Sequence, residues 1–451
     1  MPAKVPKPPK TPSITAKALQ TLLTCIGSAS SGTKSVLHSR LLRDLPVSRF
    51  RNIHAKGDTQ QTANSNSKLR IVSIDMGIKN LAFCEALVSY PGSMQEKRAK
   101  GVKKEWDATM EIVRWEKVDL VANTQDPRQA FPIVTSKGKA GRSKISSEEE
   151  DEEVDPYSLP VLSETAYRLI KRTILSSAPD VILIERQRWR SGGGSAVQQW
   201  TVRVNTLEGM LWAVLATLKG ESAHLPNTHG ETHPQAIKPY EVFAVDPKRV
   251  GQYWLQQDAL VADATDNEPT ARKSRARKVE QEMSIHADAE VTTEPPPPPK
   301  NLTRSKAEKK AKINMLRSWL ASTSPSTTPT TGTTTPRITF KLGASAERIR
   351  QALCSPTKTV RRTRKRQTSD DAEGAETPDV LPQIELRKLD DVTDCFLQAA
   401  AWVSWEANRL QLRDVVEQQR RRREEDDAAL GSVDDAVLLH MMSVISGQAR
   451  D

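Results

Sequence analysis

Twice in this chain a short apolar run ends in an acid: Ile71-Val72-Ser73-Ile74-Asp75 and Val181-Ile182-Leu183-Ile184-Glu185. The second run is unbroken from Val181 to Ile184, which is the pattern of a strand covered on both faces. Such strands belong to α/β sheets, which present their functional groups at strand ends. The first run is followed by Gly77 and by a second apolar stretch ending at Val88. The alternation of Met110–Leu120 predicts a third strand. "EVFAV" predicts another that ends at Asp246, with Pro247 suited to a first helical position.

Helical periodicity fills much of the space between these runs. "SLPVLSETAYRLIKRTILSS" is amphipathic. Val197, Trp200, Val204, Leu207, Leu211 and Leu215 mark a long helix, and "KAEKKAKINMLRSWL" a short basic one. Leu389, Val392, Phe396, Ala399, Ala400 and Val403 form one long apolar face. After residue 411 comes a charged helix with a last apolar turn at Leu438 to Ile445. The predicted class is α/β, a mixed sheet flanked by helices.

The composition leaves room for unpacked segments, because only 37% of the 451 residues are hydrophobic and 28 are Pro. Pro, Ser and Thr tracts bury too little apolar surface to offset ordering entropy. Solvated, disordered inserts are therefore expected at about 136–156, 257–305 and 321–382. A basic arm (1–12), a linker (48–68), a main domain (69–430) and a tail (431–451) complete the expected organisation. The net charge of +11 favours a polyanionic partner. No apolar run approaches the roughly 18–20 residues that span a bilayer, so no membrane insertion is expected. Cys25, Cys84, Cys354 and Cys395 form no CxxC pair, which argues against a zinc ribbon or disulfide framework and for a reducing compartment. No Asp or Glu precedes Asp44. A transit peptide and a basic DNA-binding arm both carry that bias.

Residues 14–45 predict two helices around a turn. Leu19, Leu22, Leu23 and Ile26 form the first apolar face, and Gly27 is placed to end it. Val36, Leu37, Leu41 and Leu45 follow, with Lys34, His38, Arg40 and Arg43 on the other side. Ser31-Gly32-Thr33-Lys34 with Arg40-Leu41 resembles a SAP motif. That resemblance implies duplex DNA binding over residues 13–47, with Lys34 and Arg40 as contacts. A helical hairpin docked on the main domain is the alternative.

The acids carry the chemistry. Asp75 and Glu185 end strands, and Asp390, Asp391 and Asp394 open a helix, where residues three or four apart share a face. Each has a plain explanation alone: Asp75 capping the turn to Gly77, Glu185 pairing with Arg186 or Arg188, the aspartates capping their helix. Together, without a His or Cys cluster, they describe a hard-oxygen site for two Mg²⁺ ions, with Mn²⁺ able to substitute. Two such ions support phosphodiester hydrolysis. Beside Glu185, Arg186, Arg188 and Arg190 supply phosphate contacts, and Gln187 a base or sugar contact. Ser191, Gly192 and the following glycines place backbone N–H groups for a phosphate.

The blocks "IVSIDMGIKNLAFCEA", "ILIERQRWRSGGGSAVQQWTVRVNTLEGMLWA" and "RKLDDVTDCFLQAAAWVSWEANR" resemble the fungal mitochondrial Holliday junction resolvases, a RuvC-related family. The likeness spans about half the chain in scattered blocks. It implies a ribonuclease H-like fold and metal binding by Asp75, Glu185 and Asp394 with Asp391 or Asp390. It also implies a homodimer that nicks four-way junction DNA symmetrically in the mitochondrial matrix. The rival readings are a non-catalytic DNA-binding protein and a related nuclease on other branched or hybrid substrates.

Overall fold

The β-branched runs form the strands expected of them, and the acids close two of those strands. The computed structural model describes residues 13–47, 68–90, 108–121, 155–187, 198–224, 237–255, 304–321, 338–354, 389–425 and 434–445. Helices α1 (Ala16–Cys25) and α2 (Lys34–Asp44) precede the sheet. Strand β1 (Leu69–Asp75) pairs antiparallel with β2 (Leu81–Ser89), and β2 pairs antiparallel with β3 (Ala108–Val118). Helix α3 (Leu159–Arg168) runs into a π-turn and then leads to β4 (Val181–Glu185), which lies parallel against the free edge of β1. Helix α4 (Gln199–His224) returns the chain to β5 (Glu241–Val245), parallel to β4. Helix α5 (residues 247–255) follows, and Asp246 opens it by accepting the Lys248 backbone N–H at 2.9 Å. Helix α6 (Arg304–Ala321), strand β6 (Ile338–Leu342), α7 (Ala344–Cys354), α8 (Leu389–Glu425) and α9 (Asp435–Ile445) complete the order.

The strand order is β5-β4-β1-β2-β3-β6. A three-strand meander with two parallel strands on the free edge of its first strand is the ribonuclease H-like topology, here extended by β6. Side chains alternate across the sheet with period two. Val72, Ile74, Ile182 and Ile184 pack under α3 and α4, with Leu162, Leu207 and Leu211. Leu69, Ile71, Val181 and Leu183 face α8, α6 and α7, with Phe396, Val403 and Leu316. Asp75 and Glu185 continue the second series, so the alternation aims both carboxylates at the α8 face.

Two expectations are corrected here. The segment 321–382 is not wholly an insert, because β6 and α7 lie inside it and belong to the core. Ile338 and Phe340 are buried, and the Phe340 ring stacks on Trp319, 5.7 Å between centroids. A five-residue strand amid Thr, Ser and Pro leaves too short a pattern to read. Gly343 turns the chain from β6 into α7, where a Cβ would stand 2.9 Å from the Ile112 carbonyl oxygen. The tail is corrected as well. Val437, Leu438 and Met441 of α9 pack with Leu19, Leu22, Leu37 and Leu41 of α1 and α2 and with Leu412 and Val415 of α8. The two chain ends thus share one apolar cluster. The expected insert at 136–156, up to residue 154, lies outside the described residues, as does 257–303.

The α1–α2 hairpin is built into the main domain. Gly27 adopts φ +69° and lies flat against Trp405; a Cβ there would fall 2.4 Å from the indole. The three carbonyls that close α1 are each bound. Asn408 Nδ2 donates to Cys25 at 2.9 Å, Arg409 Nη2 to Ile26 at 2.6 Å and Arg249 Nη1 to Gly27 at 3.2 Å. These are helix-end acceptors that otherwise need water or a cap. Arg409 is also paired with Glu406, both buried.

Candidate active site

The register brings the two strand-end acids together. Ile74 pairs with Ile184 in the parallel β1/β4 ladder, and the next residues are Asp75 and Glu185. Their carboxyls lie side by side at the strand ends, and Glu185 raises the proton affinity of Asp75. Asp75 is 8% exposed. Burial raises its carboxyl well above the ordinary range, and the hydrogen bond and charge of Glu185 push the same way, followed by the charges of Asp394 and Asp391.

Helix α8 delivers the remaining acids. Asp390 and Asp391 lie in its first turn and Asp394 in its second. Two contacts pin this end of α8 to the sheet. Trp115 Nε1 of β3 donates to the Val392 carbonyl at 3.0 Å. Gln398, one turn beyond Asp394 on the same face, donates to Ser73 Oγ at 3.1 Å and to the Ile74 carbonyl at 3.3 Å. A fully buried Gln anchored to the residues just before Asp75 fixes the helix acid over the strand acids. Burial raises the Asp394 carboxyl, and the Glu185 charge adds to this; Lys312 works against both.

Each helix aspartate meets a lysine. Lys312 Nζ of α6 donates to Asp394 at 3.1 Å, and Lys309 Nζ donates to Asp390. Lys117 Nζ of β3 lies 3.8 Å from Asp391. Lys117 sits in cross-strand register with Ala82, which itself pairs with Asp75. Among the described residues no three ligands already converge closely enough to hold an ion. The donor chemistry nevertheless fits a hard divalent cation. Neighbouring carboxylates raise the proton affinity of Asp75 and Asp394, and a cation between the acids would relieve that repulsion.

Of the expected DNA contacts, Arg186 is exposed beside Glu185. Gln187 Nε2 donates to Glu185 at 3.3 Å, and its backbone N–H donates to Glu208 of α4 at 3.1 Å. Arg188, Arg190, Ser191 and Gly192 lie outside the described residues. Lys34 is exposed at the start of α2. Arg40 binds its own turn, donating to the Ala29 carbonyl at 2.6 Å and the Ser31 carbonyl at 2.8 Å.

Among the neighbours of the site that were not anticipated are Glu208, Lys312 and Gln398. Each interrupts an apolar stripe. Glu208 falls between Val204 and Leu211, Lys312 four residues before Leu316, and Gln398 amid Phe396, Ala399 and Ala400. A polar side chain in a buried stripe is the available signal. Burial raises the Glu208 carboxyl, opposed by the Gln187 N–H, Trp212 and the Arg186 charge.

Comparison with known proteins adds the family. A family model described as mitochondrial resolvase Ydc2 / RNA splicing MRS1 matches residues 71–412. The chain is 27% identical over 185 residues to the cruciform cutting endonuclease 1, mitochondrial, of Schizosaccharomyces pombe, covering 41% of this chain and 52% of that protein. It thus spans about half the length of the curated relative that it matches. The crystal structure of the yeast mitochondrial Holliday junction resolvase Ydc2 aligns over 90% of this chain and 99% of its own, at 17% identity and a TM-score of 0.39. The Thermus thermophilus RuvC structure aligns over 42% and 69%, at 12% identity and a TM-score of 0.19.

Proposed function

This chain belongs to the mitochondrial resolvase Ydc2 / RNA splicing MRS1 family, and from that premise we propose that it is a mitochondrial Holliday junction resolvase. It cleaves four-way DNA junctions by paired symmetric nicks. The observation that carries this reading is the arrival of Asp75, Glu185 and the α8 aspartates on one face of the sheet. Acids gathered at one place suit ion binding and hydrolysis better than DNA binding alone, which favours this reading over a non-catalytic or splicing role within the same family. The relative's name and the family's description support the mitochondrial assignment.

Asp75, Glu185, Asp394 and Asp391 would hold Mg²⁺, with Mn²⁺ able to substitute; Asp390 stands one residue nearer the helix start, with Lys309. When bound, the ions supply a polarised water and charge neutralisation at the phosphodiester. The chain's own groups do the rest. Gln398 and Trp115 hold α8 in place over the strand ends. Arg186 meets the phosphate backbone beside the acids, together with Arg188 and Arg190. Gln187, oriented by Glu185 and Glu208, faces the sugar or base. Ser191 and Gly192 offer backbone N–H groups to a phosphate. Lys34 carries the hairpin's contact with a duplex arm, and Arg40 shapes the turn on which that contact stands.

Symmetric nicking needs two sites, and a homodimer supplies them. The exposed side of α4 offers a suitable surface: Val202, Gly209, Ala213 and Ala216 recur at helical spacing, and a Cβ on Gly209 would meet nothing within 4 Å. A close helix–helix approach fits that stripe.

The deciding experiment is cleavage of a synthetic mobile four-way junction in Mg²⁺ by wild type, Asp75→Asn and Glu185→Gln. Paired nicks that both substitutions abolish, with junction binding retained, are expected. Tight binding without cleavage by folded wild type, in Mg²⁺ or Mn²⁺, would overturn the reading.

A further inference from the structure

The acid cluster is partly compensated by lysines from outside the strands and helix that carry the acids. Lys312 is the most committed of them. It is 9% exposed, and its ammonium lies 3.1 Å from Asp394 and 3.9 Å from Glu308. A buried lysine is rare unless paired. The packing around its stem is shaped to admit it. At Gly251 of α5 a Cβ would fall 2.9 Å from Glu308 Oε1 and 3.8 Å from Lys312 Cε, so the glycine leaves the space that this pair occupies. Glu308 and Asp394 thus flank the ammonium, and the backbone of α5 lies against it.

From this geometry we infer that Lys312 is a built-in counter-cation of the site: it holds Asp394 in the metal-free protein and competes with the divalent ion for that carboxylate. The inference rests on the reading of Asp75, Glu185 and Asp394 as metal ligands. Its physical basis is simple. A fixed positive charge beside a ligand compensates the acid when no ion is present and repels the ion when it arrives. The lysine therefore keeps the metal-free fold intact at the expense of metal affinity. Lys312 is a positioning residue in this scheme, acting through Asp394.

The test is Mn²⁺ binding to the full chain, followed by calorimetry and by the electron paramagnetic resonance signal of free Mn²⁺. Lys312→Gln keeps a hydrogen-bond donor for Asp394 and removes the charge. It is expected to bind Mn²⁺ about tenfold more tightly, the scale of one strong pairwise coupling. Lys312→Arg keeps the charge and is expected to bind as wild type does. In an Asp394→Asn background the gain from Lys312→Gln is expected to shrink, because the competition for that carboxylate is gone and only the repulsion of the ion remains. Equal or weaker Mn²⁺ binding by folded Lys312→Gln overturns the inference, as does an undiminished effect in the Asp394→Asn background. The reading beneath it fails separately: Mn²⁺ binding that Asp75→Asn leaves untouched removes the acids as ligands and the inference with them.

Discussion

Helix α8 carries two charged clusters, one half-buried around Asp394 and one buried at Arg409, separated by about 22 Å of helix at 1.5 Å per residue. At the Arg409 end the charges are matched. Glu406 and Arg409 pair one turn apart, and the guanidinium also closes the carbonyl end of α1. At the Asp394 end carboxylates outnumber the cations that reach them, and their charges raise the proton affinity of Asp75 and Asp394. The same rod therefore has one end built for stability and one end held away from it. Imbalance of that kind is expected where a site must take up an ion, since a fully compensated cluster would have no affinity left to offer.

The comparison is sharpest at Asp75. Asp75→Asn should lower junction cleavage by at least about a thousandfold, since its carboxylate has no substitute in the site. The same substitution should raise the metal-free melting temperature by about 2–4 °C, corresponding to roughly 1 kcal/mol of relieved repulsion. A melting temperature that falls instead would mean that the cluster is not under electrostatic strain.

At the matched end the outcome reverses. Arg409→Ala leaves Glu406 buried without its partner and the Ile26 carbonyl without its donor. It should cost about 3–5 kcal/mol in chemical denaturation. A cost below about 1 kcal/mol would show that the α1–α2 hairpin does not depend on this anchor.

Gly27→Ala probes the same dock without touching a charge. It forces a side chain into a left-handed backbone and into the Trp405 indole. We expect a loss of about 2–4 kcal/mol, together with weaker protection of α1 amides in hydrogen exchange. Wild-type stability would mean that the hairpin can lift away from α8.

The smallest effect is on pH dependence. Asp75 and Asp394 have raised carboxyls in the folded chain, so the folded state binds more protons than the unfolded one between their ordinary and raised values. Metal-free stability should therefore decline as pH rises from about 4 through that window, by about 1 kcal/mol. The decline should be shallower in Asp75→Asn. Urea titrations at a series of pH values without metal would measure it, and a flat profile would contradict the assigned repulsion.

Much of the candidate site was legible in residue order, and the reasons are local. Asp75 and Glu185 stand out because each closes an apolar run of strand length. Asp390, Asp391 and Asp394 stand out because their spacing falls on one helical face. The supporting groups were not legible in the same way. Gln398, Lys312 and Glu208 are single polar residues in apolar stripes, and only their partners reveal what each one does. Strand β6 escaped because five residues in a Thr- and Pro-rich neighbourhood carry no pattern that outweighs their surroundings. Arg40 reads as a surface cation from its type, yet the carbonyls of Ala29 and Ser31 engage it.

The amino-acid order by itself determined strands β1 to β5, their acid ends, the apolar faces of the helices and the basic character of the surface, because these follow from period, side-chain type and charge. Tertiary structure alone decided that β4 lies parallel to β1, so that two acids about 110 residues apart end side by side. It also decided that α8 crosses above them, that α6 lends a lysine to Asp394, and that the two chain ends close into one cluster around α8. Those outcomes depend on which surfaces meet, and no local pattern records the partner that a surface will find.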